Sequence, residues 1–325
     1  MRIREIVKAY ANVSRMEYAS AEAPGMLIPF LLGASSVYDL VGFHIFEALI
    51  VFILLFTSGF LINALTDIEV DKKYKNFVSN SVNTLGDKTI KKIIIFQVTL
   101  ALLLTVHICY LINNYWLFLW VVTATFFGLA YSVKPFHFKV RGVLHATLAF
   151  SAGFAPMVFL YYVIAGVPTT SILLVILFFI ILHYGIALVN QTQDYLEDKE
   201  SGLLTPAVRW GVTRTLTAAM ILSIFGLALG FIGFYILYLD LQPLVLLGIP
   251  VSLNLLYMIT VITLVASYYT PVKGIRDLIK ISSNGETIEQ KMNHIKQRLN
   301  YPRWQASGIL GLALVSAIFF TVRIL

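Results

Sequence analysis

The sequence predicts an all-α fold, a polytopic membrane helix bundle of about nine transmembrane helices around a central cavity. Three observations carry that expectation. Of the 325 residues, 58% are hydrophobic and only 13% charged, with a mean hydropathy of +0.82. A soluble domain is about 45–50% apolar and about 25% charged. The apolar residues are gathered into runs near the roughly 20 residues that cross a bilayer. The basic residues alternate between connections. A soluble helical protein with a generous core would not be divided into runs of that length.

The runs are residues 23–37, 46–65, 93–111, 116–133, 143–165, 172–189, 216–239, 244–268 and 306–322. The first is short and is expected to begin near Tyr18. Residues 1–15 are polar and mildly amphipathic, unlike a cleaved signal peptide. With the N-terminus in the cytoplasm, nine spans place 23 of the 24 basic residues on the inner face and leave only Arg323 outside. That asymmetry follows the positive-inside rule. It predicts an integral membrane protein with its N-terminus and charged loops on the cytoplasmic side. The net charge of +7 is then accounted for by topology and anionic membrane lipid, with no nucleic-acid partner. Cys109 is the single cysteine and lies inside the third run, so the chain forms no internal disulfide and its redox compartment is not readable.

The outer connections (38–44, 113–114, 166–170, 238–243) are short and nearly uncharged, whereas the inner ones (66–89, 134–142, 191–214, 270–303) are long, polar and charged. Chemistry with charged groups therefore belongs on the inner face. No Pro/Ser-rich linker divides the chain, so residues 1–325 read as a single membrane-embedded domain. Within 273–303, Ile275, Leu278, Ile279 and Ile281, then Ile288, Met292, Ile295 and Leu299, recur at helical spacing. They predict an amphipathic segment lying at the interface, with a regulatory or partner-binding role as the alternative.

The inner end of the second span carries Asn63, Asp67 and Asp71, and that of the sixth carries Asn190, Asp194 and Asp198. Both have the form N-x-x-x-D-x-x-x-D. Residues four apart share one face of a helix, so each motif points an amide and two carboxylates the same way. Stacked carboxylates repel and are costly near a membrane core without a cation. Oxygen ligands suit a hard divalent ion, and Mg²⁺ takes one or two carboxylates together with water and substrate phosphate. Two such motifs facing each other would hold a diphosphate through Mg²⁺. A solvated helix terminus accounts for one motif, but less readily for two at matching positions. A transporter can also carry an inner-facing repeat, although transporter sites lie near the midplane at broken helices.

After the fourth span come Tyr131, Ser132, Lys134, Lys139 and Arg141. These cations would neutralise a leaving diphosphate, and the two hydroxyls would donate hydrogen bonds to it. Topology alone also explains Lys139 and Arg141. Arg15, at the start of the first span, would bind diphosphate or snorkel to the headgroups.

The paired Asp motifs, the loop from Tyr131-Ser132 through Pro135 to Lys139, and the nine runs resemble the UbiA superfamily of intramembrane prenyltransferases. The resemblance covers the chain from about Arg15 to the last span. It implies transfer of an isoprenyl group from a prenyl diphosphate donor to a hydrophobic or lipid acceptor within the membrane, with Mg²⁺ held by the Asp residues. Asn63, Asp67 and Asp71 match the first motif of the family, and Asp194 and Asp198, preceded by Asn190, match its second. Tyr131, Ser132 and Lys139 match its loop. Many members follow the first motif with an Arg-Pro pair, which residues 76–86 lack. The acceptor is thus open among an aromatic ring, a quinone precursor, a glycerol-phosphate lipid and a tetrapyrrole.

In the implied reaction the four Asp residues act through Mg²⁺, and Lys134, Lys139 or Arg141 stabilise charge as the C–O bond breaks. Some of the chain's aromatic residues would shield the allylic cation. The base is unassigned: Glu69 and Glu197 turn away from the Asp face, and Glu47 and His183 lie within spans. Alternative reactions on this scaffold are a terpene cyclase and another diphosphate-cleaving lipid transferase, such as a phosphoribosyl transferase. CDP-alcohol phosphotransferases need a D-G-x-x-A-R run that is missing here. The alternative outside enzymology is a non-enzymatic membrane transporter.

Overall fold

The computed structural model describes residues 3–16, 19–141, 146–241, 244–246 and 249–325. Arg2, Tyr18, Gly142 and Val143, used above, lie outside them. Among the described residues, seven helices are long and apolar enough to cross a membrane, and the protein is an integral membrane protein. Two of the nine runs form shorter helices, of 17 residues at Trp116–Ser132 and 15 at Ala19–Gly33. At about 1.5 Å per residue these reach about 26 and 22 Å, short of the roughly 30 Å hydrocarbon core. The chain divides into two compact units, Met1–Ser20 with Val41–Val163, and Ala21–Leu40 with Ile164–Leu325.

The first unit holds α1 (Ile3–Val13), α3 (Phe43–Thr66), α4 (Ile68–Tyr74), α5 (Asn76–Leu85), α6 (Asp87–Leu111) and α7 (Trp116–Ser132). It also holds α8 (Ala146–Ala149), which passes through a π-helical turn, Phe150–Phe154, into α9 (Ala155–Ala165). A core of Ala9, Val13, Leu61, Ala64, Val78, Val82, Ile90 and Ile94 joins α1, α3, α5 and α6. The amphipathic α1 is tied down by polar contacts as well. Asn12 Nδ2 donates to Ser81 Oγ at 3.0 Å. Gln97, buried on α6, donates to the Tyr10 hydroxyl at 2.9 Å and to Thr57 Oγ1 at 3.1 Å, and accepts from Ser58 Oγ at 3.0 Å. A buried amide with both its ends engaged costs little, whereas an unsatisfied one is expensive. Near the start of α3, Glu47 Oε1 sits 2.8 Å from His107 Nδ1.

The second unit holds α2 (Ala19–Gly33), α10 (Thr170–Gln193), α11 (Tyr195–Glu200), α12 (Pro206–Trp210), α13 (Val212–Leu239), α14 (Leu253–Ser282), α15 (Ile288–Arg298) and α16 (Tyr301–Ile324). Small residues let its helices approach closely, the usual device where lipid gives no hydrophobic drive to association. A Cβ on Gly230 of α13 would lie 2.7 Å from Phe178 Cγ of α10, and one on Gly226 would lie 3.2 Å from the Phe178 carbonyl. Likewise a Cβ on Gly308 of α16 would meet Tyr268 of α14 at 2.4 Å. Arg323, the basic residue outside the inner set, donates to the carbonyls of Leu32 and Gly33 at 3.1 and 3.3 Å. It thereby caps the C-terminal end of α2, where a cation is favoured by the helix dipole.

The eighth run starts later than its hydropathy suggests. Two short strands, β1 (Leu244–Leu246) and β2 (Ile249–Val251), pair antiparallel with Leu244 opposite Val251. Pro250 cannot donate within a helix and β-branched residues favour extended backbone. Helix α14 begins at Leu253, where Ser252 accepts from the Leu255 N–H at 3.4 Å. It then continues to Ser282, so residues 273–282 of the expected interfacial segment are continuous with the apolar helix, and α15 is a separate helix.

Candidate active site

The two Asp motifs share a backbone feature beyond their spacing. Helix α3 stops at Asp67 (φ −102°, ψ 8°) and α4 starts after it. Helix α10 stops at Asp194 (φ −90°, ψ 7°) and α11 starts after it. The expectation of one unbroken helical face is corrected accordingly: each motif straddles a break at its first Asp. That backbone region is sparsely populated and recurs at active sites. Asp side chains also compete with helical hydrogen bonds for nearby backbone groups. The i to i−4 register runs through the first motif and resumes after Asp194 in the second, where the Asp194 N–H turns instead to the Thr192 carbonyl. The Asp67 N–H donates to the Asn63 carbonyl at 3.0 Å, that of Asp71 to Asp67 at 2.8 Å, and that of Asp198 to Asp194 at 2.8 Å.

Around the first motif the structure gathers four of the expected residues. Ser132 Oγ, at the end of α7, donates to Asn63 Oδ1 at 2.9 Å. Lys139 Nζ, 3.4 Å from the same oxygen, is paired with the Asp67 carboxylate. Lys139 is only 7% exposed and lies in a short 3-10 turn, Phe138–Val140. Asp71 is 6% exposed. Burial pushes its carboxyl above the usual carboxylate range, against the pull of Lys75, Arg15 and Lys139 and with the push of Asp67. An acid held in that balance gains from a further cation.

Arg15 belongs to this unit too. Its guanidinium lies 5.4 Å from the centre of the Phe77 ring on α5, and it acts on Asp71 through its charge. Arg141 Nη2 donates to the Pro135 carbonyl at 2.5 Å and so braces its own loop. Lys134 is exposed, and Tyr131 is half-buried. His137, with φ 44°, has its imidazole pushed below the usual histidine value by burial and by Lys139, against the pull of Asp67.

In the second unit, Asp198 Oδ2 accepts from Thr205 Oγ1 at 2.9 Å, and Asn190 Oδ1 accepts from Gln193 Nε2 at 2.5 Å. Glu197 pairs with Lys296 of α15 at 2.9 Å. Glu69 is largely exposed and pairs with Lys72 at 2.7 Å. His183 places Nδ1 2.8 Å from the Phe179 carbonyl and packs its ring on Phe179. Sequence reasoning gave no role to Thr205, Lys296 or Phe77. Only Thr205, just before Pro206, carried a local sign, that of a helix start.

Among the described residues, no three His, Cys, Asp or Glu side chains cluster as a self-sufficient metal centre. Each motif instead offers two carboxylates and an amide, all oxygen donors. That set fits Mg²⁺, which retains water and takes the rest of its shell from substrate phosphate.

Comparisons with known proteins bear on the fold and the family. Solved structures of a UbiA homolog from Archaeoglobus fulgidus have the same fold. The form bound to GPP and Mg²⁺ has a TM-score of 0.61 at 18% identity, covering 98% of this chain and 100% of that one. The form bound to DMAPP and Mg²⁺ has a TM-score of 0.59 at 17% identity, covering 96% and 98%. No curated protein matches the chain. The UbiA prenyltransferase family matches residues 23–268, well over half of the sequence, and the chain therefore belongs to the UbiA prenyltransferase family.

Proposed function

We propose that this protein transfers an isoprenyl group from a prenyl diphosphate to a lipophilic acceptor within the membrane, in a Mg²⁺-dependent reaction. Residues 1–325 would act as one catalytic domain carrying both acidic motifs, with the N-terminus and motif loops on the cytoplasmic side. The observation that carries this reading is the duplication itself. Two N-x-x-x-D-x-x-x-D motifs, both broken at the first Asp with nearly the same backbone angles, recur in a chain of this family. The homolog bound to prenyl diphosphate and Mg²⁺ supports the substrate class.

Asp67, Asp71, Asp194 and Asp198 would hold Mg²⁺, with Asn63 and Asn190 at the rim of the set. Bound Mg²⁺ supplies charge neutralisation, which makes diphosphate a better leaving group. Lys139 presents its ammonium beside the Asp67 carboxylate, where it can meet a phosphate oxygen as the allylic C–O bond breaks. Ser132 and Lys139 together fix the Asn63 amide oxygen. Thr205 fixes one oxygen of Asp198. Arg15, Lys134, Arg141 and Tyr131 form the outer electrostatic and hydrogen-bonding environment of the diphosphate. The acceptor then bonds to the allylic carbon and releases its proton.

The test uses purified protein in lipid nanodiscs with radiolabelled geranyl diphosphate, a panel of lipid and aromatic acceptors, and Mg²⁺. Labelled lipophilic product and released diphosphate are expected, both lost on chelation. Asp67→Ala or Asp194→Ala should abolish turnover with little change in yield. Near wild-type prenyl transfer by Asp67→Ala would overturn the reading, and a cyclic hydrocarbon formed without acceptor would replace it with a cyclase.

A further inference from the structure

The second acidic motif is braced by a helix about a hundred positions later in the chain. Lys296 Nζ donates to Glu197 Oε1 at 2.9 Å. Glu197 precedes Asp198 on α11, a helix of only six residues. So short a helix has little intrinsic stability and takes its position from its contacts. On one side Thr205 bonds the Asp198 carboxylate at 2.9 Å. On the other stands α15. That helix is itself firmly seated: Met292 and Ile295 are fully buried, and Thr287 and Gln290 form a reciprocal capping box at its start. Lys296 therefore extends from a fixed base.

We propose that Lys296 is a positioning residue for the acidic motif: by holding Glu197 it sets the orientation of α11 and thereby the place where the Asp198 carboxylate presents to metal-bound diphosphate. The proposal rests on the reading that Asp194 and Asp198 ligate Mg²⁺. The pair is 42% and 19% exposed at its two side chains. A contact so open to solvent adds little to global stability. Its effect belongs to the local opening of α11, which proceeds independently of global unfolding.

The variant is Lys296→Met, which keeps the apolar stem and removes the charge. The first readout is amide hydrogen exchange in metal-free protein in nanodiscs. The amides of Asp198 and Leu203, which donate to the carbonyls of Asp194 and Asp198, should exchange roughly two- to five-fold faster, as for loss of a partly exposed ion pair. Exchange in α13 and the unfolding temperature should stay unchanged. The second readout is the Mg²⁺ concentration for half-maximal turnover, which should rise by a similar factor. Glu197→Gln should reproduce both effects, and the exchanged pair Glu197→Lys with Lys296→Glu should restore both. Gln297→Ala, exposed on the same helix, should change neither. Unaltered exchange and Mg²⁺ dependence in Lys296→Met, or failure of the exchanged pair to restore them, overturns the proposal. Mg²⁺-dependent turnover by Asp198→Ala would overturn the underlying metal reading, and the proposal with it.

Discussion

Lys139→Met isolates the electrostatics of the first motif. Lys139 and Asp67 form an ion pair whose side chains are 9% and 23% exposed. The substitution keeps most of the stem and removes the ammonium, leaving the Asp67 carboxylate beside Asp71, which itself is buried. Removing one partner of a fully buried pair costs about 3–5 kcal/mol, and exposed pairs are worth roughly 0–1 kcal/mol. The partial exposure of Asp67 puts the loss at about 2 kcal/mol. In a chain this large that lowers the unfolding temperature by about 3 °C. The measurement is thermal unfolding in detergent with EDTA, repeated with Mg²⁺. Because a divalent cation would supply the missing positive charge, Mg²⁺ should recover most of the loss, while turnover stays low. Asp67→Asn should also destabilise, and the double variant should lose less than the sum of the two, as expected for residues in contact. Additive losses, or an unchanged unfolding temperature for Lys139→Met in EDTA, would refute the reasoning.

In EDTA, Asp67→Asn leaves the buried Lys139 ammonium without its carboxylate and should cost about 1–3 kcal/mol in thermal unfolding. Gly230→Ala forces a methyl to within 2.7 Å of the buried Phe178 ring. It should destabilise by about 1–3 kcal/mol, whereas Gly59→Ala, with open space around it, should be neutral or stabilising in the same assay. Asp39, with its carboxylate 2.7 Å from the Ser35 N–H, is held below its ordinary value of 3.8, most strongly by that bond. A depressed folded-state pKa adds stability above the unfolded value, and that stability is lost as pH falls through the folded one. Unfolding should thus steepen below about pH 4, and Asp39→Asn should flatten the acid limb of the stability curve.

The bundle was legible because a bilayer writes its thickness into the sequence. The runs at 46–65, 172–189 and 216–239 each fall within an observed helix, α3, α10 and α13. Hydropathy could not see strands β1 and β2, since those residues are as apolar as a span and only Pro250 argues against one. Periodicity placed each motif on a single helix face and could not see the break at its first Asp, because the two Asp of each motif stay four residues apart and joined by an i to i−4 hydrogen bond. The pairing of Lys139 with Asp67, and of Ser132 with Asn63, was open to expectation since the loop and the motif carry complementary groups. Arg141 was not separable from Lys139 by sequence, as its partner is a backbone carbonyl in its own loop. Lys296 was unreadable for a different reason. Its partner Glu197 lies 99 positions away, and nothing in either segment marks the contact.

The repeated break gives the acidic motifs their physical logic. A continuous helix would either keep two carboxylates per motif in the apolar part of the span, where each is costly, or project them past the protein into water, where Mg²⁺ would gain little. Stopping the long helix at Asp67 and Asp194 starts the short helices α4 and α11 there, while a backbone hydrogen bond holds the two Asp of each motif one turn apart. In the first unit Asp71 is buried on α4, which packs against α5, itself anchored by Val78 and Val82. There the carboxyl is pushed up by burial and pulled down by three separate cations. Such a group gains from a further cation, as the proposed Mg²⁺-dependent reaction would require of it.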